Sequence, residues 1–365
     1  MTDVSQMKID TTRSFEVHQT ETSRLDQVDF SNLDFGRVFS DHMFVMDFEE
    51  GRWQRGAIEP YGPFTMSPAS MVFHYGQAIF EGMKAYRSKD GSVSLFRPGK
   101  NIERFNISAR RMCMPEVPED IFMEALAALV EIDQAWVPDG DKASLYIRPF
   151  MIATDSFVGV RSSDKYTFSI FTCPVDAYYK GAVRVKVERH YTRATPGGTG
   201  FAKAAGNYAG SLYPSQLAHQ EGYDQLLWTD ASTHEFIEES GTMNAMFVIN
   251  GKLVSPETSD TILNGVTRDS VITLANDLGI EVEIRKISVT ELENGLRTGA
   301  VSEAFGVGTA ATIKSIELIG VDGTDYPLNT IPAELGSSVA MQLSHALDAI
   351  RRGKVDDKHG WSIPV

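Results

Sequence analysis

The chain has 365 residues, a formal net charge of −15 and 42% hydrophobic residues, which is the composition of a globular protein long enough for two domains. The negative charge argues against nucleic acid and anionic membranes as partners, because both are bound by clustered lysine and arginine. The only two cysteines, Cys113 and Cys173, form no C-x-x-C pair, which argues against a disulfide framework and a cysteine metal site.

The amino-terminal sequence lacks the basic and then apolar order of a signal peptide, and no apolar run is long enough to span a bilayer. We therefore expect a cytoplasmic protein. The first thirty residues are polar and show no periodicity, which predicts a flexible arm at residues 1–30.

The first half of the chain combines alternating apolar runs, typical of strands, with two amphipathic segments, typical of helices. An Asp90-Gly91 turn predicts that two of these strands form a hairpin. We predict strands at 42–46, 83–88, 92–96, 144–153 and 166–175, and helices at 99–112 and 118–135. This mixture indicates an α+β arrangement.

The second half is richer in turn signals. Asn250-Gly251 predicts the clearest hairpin, and Ser288 with Glu291 predicts a capping box at the start of a helix. We predict strands at 183–187, 224–229, 234–239, 246–249, 252–254, 280–287, 302–305 and 312–319, and helices at 267–278, 288–299 and 333–352.

The alternating pattern breaks near residues 176–181, which favours a domain boundary there. We predict a smaller α/β domain at 1–177, a connection at 178–188 and a larger domain at 189–365. The fold class is therefore α+β, or mixed α/β, with two domains.

One lysine has unusual surroundings. Lys203 lies in a glycine- and alanine-rich stretch, residues 196–211, and is the only lysine between Lys186 and Lys252. Small neighbours leave room for a flat ring, and burial favours the uncharged amine that Schiff-base chemistry needs. By itself the stretch favours an exposed mobile loop.

Three further segments suggest anion or ring binding. Gly306-x-Gly308-x-x-Ala311 imitates a dinucleotide fingerprint, but the residues after it predict a strand instead of the required helix, so the turn offers a phosphate site at most. Gly265 precedes a predicted helix whose start would favour a phosphate. Two acids, Glu238 and Glu239, end a strand.

The histidines show no metal-ligand spacing, so we expect no metal.

Taken together, these segments resemble the branched-chain amino acid aminotransferases, which are pyridoxal-phosphate (PLP) enzymes of fold type IV. The likeness rests on residues 198–211, 238–244, 263–270 and 305–310, and it continues upstream in 75–84, 95–98, 101–104 and 145–149. It implies a two-domain fold like that of D-amino acid aminotransferase. It also implies transfer of amino groups between L-leucine, L-isoleucine or L-valine and 2-oxoglutarate, and a homodimer.

The resemblance implies a role for each matching position. Lys203 corresponds to the lysine that binds PLP and moves the proton during catalysis, Tyr208 to the partner of the phenolic oxygen, and Glu239 to the partner of the ring nitrogen. The positions that correspond to the phosphate site are Arg104, Val266, Thr267 and Thr309. The positions that correspond to the substrate pocket are Tyr75, Phe80, Tyr146, Arg148, Tyr178, Thr242 and Ala310.

The chain departs from the mammalian members at one place. They carry a C-x-x-C redox pair after the G-T-A turn, where this chain has Ala311 and Lys314, so no thiol switch is expected. Two activities of the same fold type stay open as alternatives, namely D-amino acid aminotransferase and aminodeoxychorismate lyase. The expected partners are small amino acids and 2-oxo acids.

Overall fold

The computed structural model describes residues 13–141, 143–176, 181–328 and 338–365. It divides into two compact units. Unit 1 comprises Met1–Tyr178 and Asp357–Val365, and unit 2 comprises Tyr179–Asp356.

Unit 1 is built on a large, mainly antiparallel sheet with helices packed against it. Its strands are β1 (Glu16–Val17), β2 (His42–Glu49), β3 (Arg52–Trp53), β4 (Ala57–Pro60), β5 (Ala78–Phe80), β6 (Met83–Arg87), β7 (Val93–Phe96), β8 (Ser144–Ala153) and β9 (Tyr166–Val175). Its helices are α1 (Val72–Tyr75), α2 (Pro98–Arg111) and α3 (Glu119–Ile132). The predicted strands at 144–153 and 166–175 are confirmed to the residue.

The core of unit 1 lies between this sheet and helices α2 and α3. Phe168 on β9 contacts the rings of Phe105 on α2 and Phe122 on α3, at centroid distances of 5.5 and 6.0 Å. All three side chains are fully buried. The apolar stripe that predicted α2 from the sequence therefore faces the sheet.

The flexible arm predicted for residues 1–30 is wrong for the part of it that the structure describes. Phe15 is buried in the core, and β1 pairs with β4 in parallel. Arg13 forms an ion pair with Glu131 on α3. The sequence pattern could not reveal this segment, because a strand of two residues has no periodicity and its partners are distant in the chain.

The described residues of unit 2 form a second sheet and five helices. Its strands are β10 (Val183–Glu188), β11 (Gln225–Thr229), β12 (Ile237–Ser240), β13 (Met243–Ile249), β14 (Lys252–Ser255), β15 (Val282–Ile284), β16 (Val301–Gly308), β17 (Thr312–Val321) and β18 (Thr324–Pro327). Its helices are α4 (Ala205–Ala209), α5 (Leu212–Gln220), α6 (Val266–Asp277), α7 (Val289–Thr298) and α8 (Val339–Arg351).

Six strands of unit 2 close into a ring. The sheet runs β12-β11-β10-β17-β16-β13, and β12 pairs with β13 as well, which completes the circuit. β10 and β11 are parallel, so a long crossover must connect them. That crossover spans residues 189–224 and carries Lys203 together with α4 and α5.

Two predictions in unit 2 that rest on turn and helix-cap residues are confirmed. Asn250 and Gly251 have φ of 50° and 80°, the left-handed pair that a tight hairpin between β13 and β14 requires. The Ser288 side chain accepts a hydrogen bond from Glu291 N and caps α7. The predicted strand 280–287 shrinks to β15, a short, partly exposed strand. Of the predicted helix 333–352, residues 333–337 lie outside the described residues.

The carboxyl-terminal residues belong to a different domain from the one predicted. We assigned residues 189–365 to the second domain, whereas a last strand, β19 (Ser362–Pro364), pairs antiparallel with β7 in unit 1. Trp361 supports this placement, since its ring packs edge-on against Phe96. The pairing joins residues more than 260 positions apart, which a local pattern cannot indicate.

Candidate active site

Lys203 and Tyr208 form the centre of the candidate site. Lys203 Nζ donates a hydrogen bond to Tyr208 Oη at 2.8 Å, and both side chains are half-buried. Helix α4 begins two residues after the lysine, and its turn brings the tyrosine back towards the amine. The Tyr208 oxygen accepts from the lysine, so its own hydrogen is left to donate elsewhere.

The backbone that carries Lys203 is braced from both sides. Asn207 accepts from Thr199 Oγ1 at 2.7 Å and donates to the carbonyl oxygens of Thr199 and Ala202 at 2.8 Å, which ties the loop to α4. A Cβ at Gly200 would lie 2.7 Å from the backbone of Thr261, so only glycine allows this approach. The exposed mobile loop, one reading of this stretch from the sequence alone, does not fit these contacts.

Glu239 lies on β12 with its carboxylate held on both oxygens. Oε1 accepts from Leu263 N at 2.8 Å and from Asn244 Nδ2 at 3.1 Å. Oε2 lies 3.0 Å from Arg193 Nε in a buried ion pair. The N–H of Arg193 Nε does not point at this oxygen well enough to count as a hydrogen bond, so the contact is one of charge.

Glu238, the neighbour of Glu239, is buried as well. Its Oε1 accepts from Thr261 Oγ1, while its Oε2 has no hydrogen-bond partner among the described residues. Burial raises the pKa of Glu238, and the bond from Thr261 and the charge of Arg193 only partly oppose this. The two adjacent glutamates therefore occupy different environments, one braced by donors and one desolvated.

Helix α6 presents the candidate phosphate residues of unit 2. Val266 and Thr267 form its first turn, Gly265 is its N-cap, and no side chain caps it. A Cβ at Gly265 would lie 2.0 Å from Asn244 Oδ1, so this glycine lets the loop pass the side chain that also binds Glu239. Thr309 and Ala310 lie in the tight turn between β16 and β17, and Thr242 is exposed in the turn between β12 and β13.

Arg104 on α2 is buried and paired with one acid. Its Nε and Nη2 donate to the two oxygens of Glu81 at 2.7 and 2.9 Å. Asn101 Nδ2 and Gly82 N also donate to Glu81 Oε2. Arg104 lies off the apolar stripe of α2, a position at which an arginine ordinarily faces water. The structure buries it against a partner 23 residues away.

Three of the predicted substrate residues form a cluster in unit 1. The Arg148 guanidinium lies 4.8 Å from the centre of the Phe80 ring, and its Nη2 donates to Tyr146 Oη at 3.0 Å. Tyr75 ends α1, and no hydrogen bond or ring contact joins it to this cluster in the part of the chain described here. Tyr178 lies outside the described residues.

Sequence reasoning missed the residues that hold the site together. Arg193, Thr261, Asn207 and Glu81 received no role, although Asn207 and Glu81 lie inside quoted motifs. Asn244, at the end of another motif, was missed as well. A polar side chain among glycine and alanine, as at Asn207, was the available signal. Arg193 offered none, because its partner is 46 positions away.

Comparisons with known proteins agree on one family. The amino-transferase class IV family matches residues 78–319. Branched-chain-amino-acid aminotransferase 2 of Bacillus subtilis (strain 168) is 45% identical over 97% of this chain and 98% of its own length. No helix in the described ranges is long and apolar enough to cross a membrane.

Solved structures show the same fold. A branched-chain aminotransferase from the archaeon Thermoproteus uzoniensis, solved with norvaline, has a TM-score of 0.72 and 26% identity, over 88% of this chain and 99% of its own. The PLP form of a branched-chain amino acid aminotransferase from Thermobaculum terrenum has a TM-score of 0.69 and 24% identity, over 89% and 98%.

Proposed function

The chain belongs to the amino-transferase class IV family and is a PLP-dependent transaminase of branched-chain amino acids, and from this premise we propose how its own residues carry the reaction. The observation that carries the assignment is the hydrogen bond between Lys203 Nζ and Tyr208 Oη on the braced crossover loop. An amine in contact with a phenol is the arrangement that a covalently bound pyridoxal ring needs at its reactive edge.

The donors and acceptors of unit 2 fit PLP. They supply an amine at Lys203, a phenol at Tyr208, a carboxylate at Glu239 and an uncapped helix start at Thr267. These match the aldehyde, the phenolic oxygen, the ring nitrogen and the phosphate of the cofactor. When bound, PLP supplies a ring that accepts the electrons left on the substrate Cα after its proton is removed.

Each residue then has a task of its own. Lys203 Nζ would bind the aldehyde of the cofactor, and its amine would take up and return the proton that leaves the substrate Cα. The Tyr208 hydroxyl donates to the phenolic oxygen and stays within reach of Nζ. Glu239 holds a proton at the ring nitrogen. Val266, Thr267 and Thr309, all in unit 2, would bind the phosphate. The family resemblance implies the same role for Arg104.

The cluster in unit 1 serves the substrate. We assign Arg148 and Tyr146 to the carboxylate, because a guanidinium and a phenol both donate hydrogen bonds to anionic oxygens. Phe80 supplies apolar surface for the branched side chain, where each methylene is worth about 1–3 kcal/mol of discrimination. The family resemblance implies a substrate role for four more residues, namely Tyr75, Tyr178, the exposed turn residue Thr242 and the partly buried Ala310.

A homodimer is part of the proposal. Its support is the family resemblance and several large apolar side chains that stay exposed in the single chain, including Phe73 at 62% and Leu212 at 69%. Light scattering on the purified protein tests this directly. The cytoplasmic location expected from the sequence stays a prediction.

Reduction with borohydride tests the cofactor assignment. We expect it to fix the pyridoxyl group on Lys203, and peptide mapping to find none on the Lys203→Ala variant reconstituted in the same way. Lys84 is the matched control, because it is a buried lysine inside another family motif. A pyridoxyl group on Lys84 would contradict the assignment.

A further inference from the structure

Arg193 connects three parts of unit 2 around Glu239. It follows β10 in the chain, and its side chain is only 9% exposed. Its Nη2 donates to the carbonyl oxygens of Gly200, in the lysine loop, and Thr261, in the loop before α6. Its Nε faces Glu239 Oε2 at 3.0 Å. One guanidinium therefore contacts the lysine loop, the loop that leads to α6, and the β12 carboxylate.

The contacts of Glu239 divide between its two oxygens. Oε1 receives N–H groups from Asn244 on β13 and from Leu263, whereas Oε2 lies against Arg193. Because Asn244 also donates to the carbonyl oxygen of Leu263, the amide and the loop brace each other. The carboxylate can neither rotate nor withdraw without breaking at least one of these contacts.

The charged groups around Glu239 show why its carboxylate needs a cation such as Arg193 beside it. Glu238 is adjacent and buried, and its pKa responds to both Glu239 and Arg193, in opposite directions, and to Asp230. Arg268 also interacts with Glu239, but its guanidinium donates to Ser255 Oγ and the Pro256 carbonyl oxygen. Without Arg193, the buried Glu239 carboxylate would lose the cation that lies against it, beside a second buried carboxyl group.

We propose that Arg193 is a positioning residue that keeps the Glu239 carboxylate ionised and aimed, so that Glu239 can hold the proton on the ring nitrogen of PLP. The inference rests on the proposed function, in which Glu239 has that task. Arg193 touches neither substrate nor reacting atoms in this scheme. Through Gly200 and Thr261 it also fixes the lysine loop relative to β12, so it sets the relation between the two residues that bind the ring.

Nuclear magnetic resonance of the ring nitrogen tests the proposal without relying on activity. The holoenzyme is reconstituted with PLP labelled with ¹⁵N in the ring, and the chemical shift is recorded for the wild type, R193Q, R193K and E239Q. We expect a protonated nitrogen in the wild type and in R193K, which keeps the charge. R193Q and E239Q should move the signal towards that of neutral pyridine. R352Q is the control, because Arg352 is equally buried and pairs with Asp348 at 2.8 Å.

A double-mutant cycle covers the case in which R193Q does not fold. The half-reaction with L-leucine is measured for R193K, E239Q and both changes together, each as holoenzyme. R193K keeps the charge but loses the contacts of the guanidinium with Gly200 and Thr261, which aim the Glu239 carboxylate. If Arg193 acts through Glu239, R193K should therefore slow the wild type about 5- to 100-fold more than it slows E239Q, the range expected for residues in contact. An unchanged nitrogen signal in R193Q, or equal slowing in both backgrounds, would overturn the proposal. Failure of the wild type to carry PLP on Lys203 would instead refute the proposed function.

Discussion

Arg104 and Glu81 form a bidentate ion pair in which both oxygens of the carboxylate accept from the guanidinium, at 2.7 and 2.9 Å. Glu81 is fully buried and also accepts from Asn101 and from Gly82 N. The pair fixes the plane of the guanidinium, because Nε and Nη2 are bound to one rigid acceptor. An arginine proposed to bind phosphate is thereby oriented before any phosphate arrives.

We expect Glu81→Gln to release Arg104 from this orientation. The buried guanidinium would lose its counter-charge, so unfolding free energy should fall by about 3–5 kcal/mol and PLP should bind more weakly. Urea unfolding of the apoprotein and spectroscopic titration with PLP measure the two effects. Glu103→Gln is the matched control on the same helix, since Glu103 pairs only with Lys100 at the surface and should cost less than about 1 kcal/mol.

Glu239→Gln should impair transamination far more than Glu238→Gln. Both residues are buried on β12, but only Glu239 has its carboxylate braced by Arg193, Asn244 and Leu263. We expect the Glu239 change to lower the rate by on the order of 10²- to 10⁴-fold, which is the typical contribution of a side chain that acts on a proton in the reaction. PLP should still bind. Stopped-flow half-reactions measure this. The opposite order of damage would assign the ring nitrogen to Glu238.

Glu238 should make stability depend on pH in a direction that follows from its burial. Because burial raises the pKa of Glu238, the native state keeps this proton at pH values where the unfolded chain has lost it. Stability is therefore lost as the pH rises above about 4.3, the ordinary glutamate value, until the residue is ionised in the native state too. Glu238→Gln removes the loss and keeps an acceptor for Thr261.

We expect the melting temperature of Glu238→Gln to rise relative to that of the wild type as the pH increases above about 4.3, with no difference below that value. Glu235→Gln serves as the control, because Glu235 is an exposed glutamate two residues before β12. A difference that is constant with pH would show that the change acts through packing instead of ionisation.

The sequence was sufficient for elements whose signal is local. Strands β8 and β9 follow from their own runs of apolar and β-branched residues, the β13–β14 hairpin from Asn250-Gly251, and the start of α7 from Ser288. The strand predicted at 312–319, on which the rejection of a dinucleotide fingerprint rested, is confirmed as β17. In each case the deciding residues are neighbours in the chain.

The sequence was insufficient where a residue or strand contacts a partner that is distant in the chain. The beginning of β13 was placed three residues late, because all seven of its residues are buried and no alternation marks it. The pairs Arg193–Glu239 and Glu81–Arg104 join residues 46 and 23 positions apart. A motif can identify Glu239 through family likeness, but only the folded chain reveals which cation lies against it.

Thiol oxidation should leave activity unchanged. Burial raises the pKa of the Cys173 thiol to about 11, so its reactive thiolate amounts to roughly one part in a thousand at pH 8. Cys113 is exposed but lies outside the candidate site, and Ala311 and Lys314 replace the mammalian redox pair. Iodoacetamide should label Cys113 alone in the native protein. Reversible inactivation by peroxide that a cysteine-to-serine change abolishes would contradict this expectation.

The identity of the amino donor that converts PLP to the pyridoxamine form distinguishes the branched-chain activity from the two other activities of fold type IV. A D-specific enzyme must exchange the places of the α-carboxylate and the side chain, and a lyase must accommodate a bulky ring system. In unit 1, Arg148 lies against Phe80 and Tyr146, so one cationic donor borders an aromatic wall that suits a branched aliphatic side chain.

We therefore expect L-leucine, L-isoleucine and L-valine to convert bound PLP to the pyridoxamine form, and 2-oxoglutarate to convert it back. D-alanine and D-glutamate should react at least about 100-fold more slowly, since a misplaced carboxylate forfeits its hydrogen bonds to Arg148 and Tyr146. Arg148→Lys should weaken binding of every L-donor, whereas Phe80→Ala should weaken leucine more than glutamate. Absorbance changes in single half-reactions measure each of these rates. A D-amino acid that reacts faster than L-leucine, or pyruvate released from aminodeoxychorismate at a competitive rate, would replace the substrate assignment and leave the PLP site on Lys203 intact.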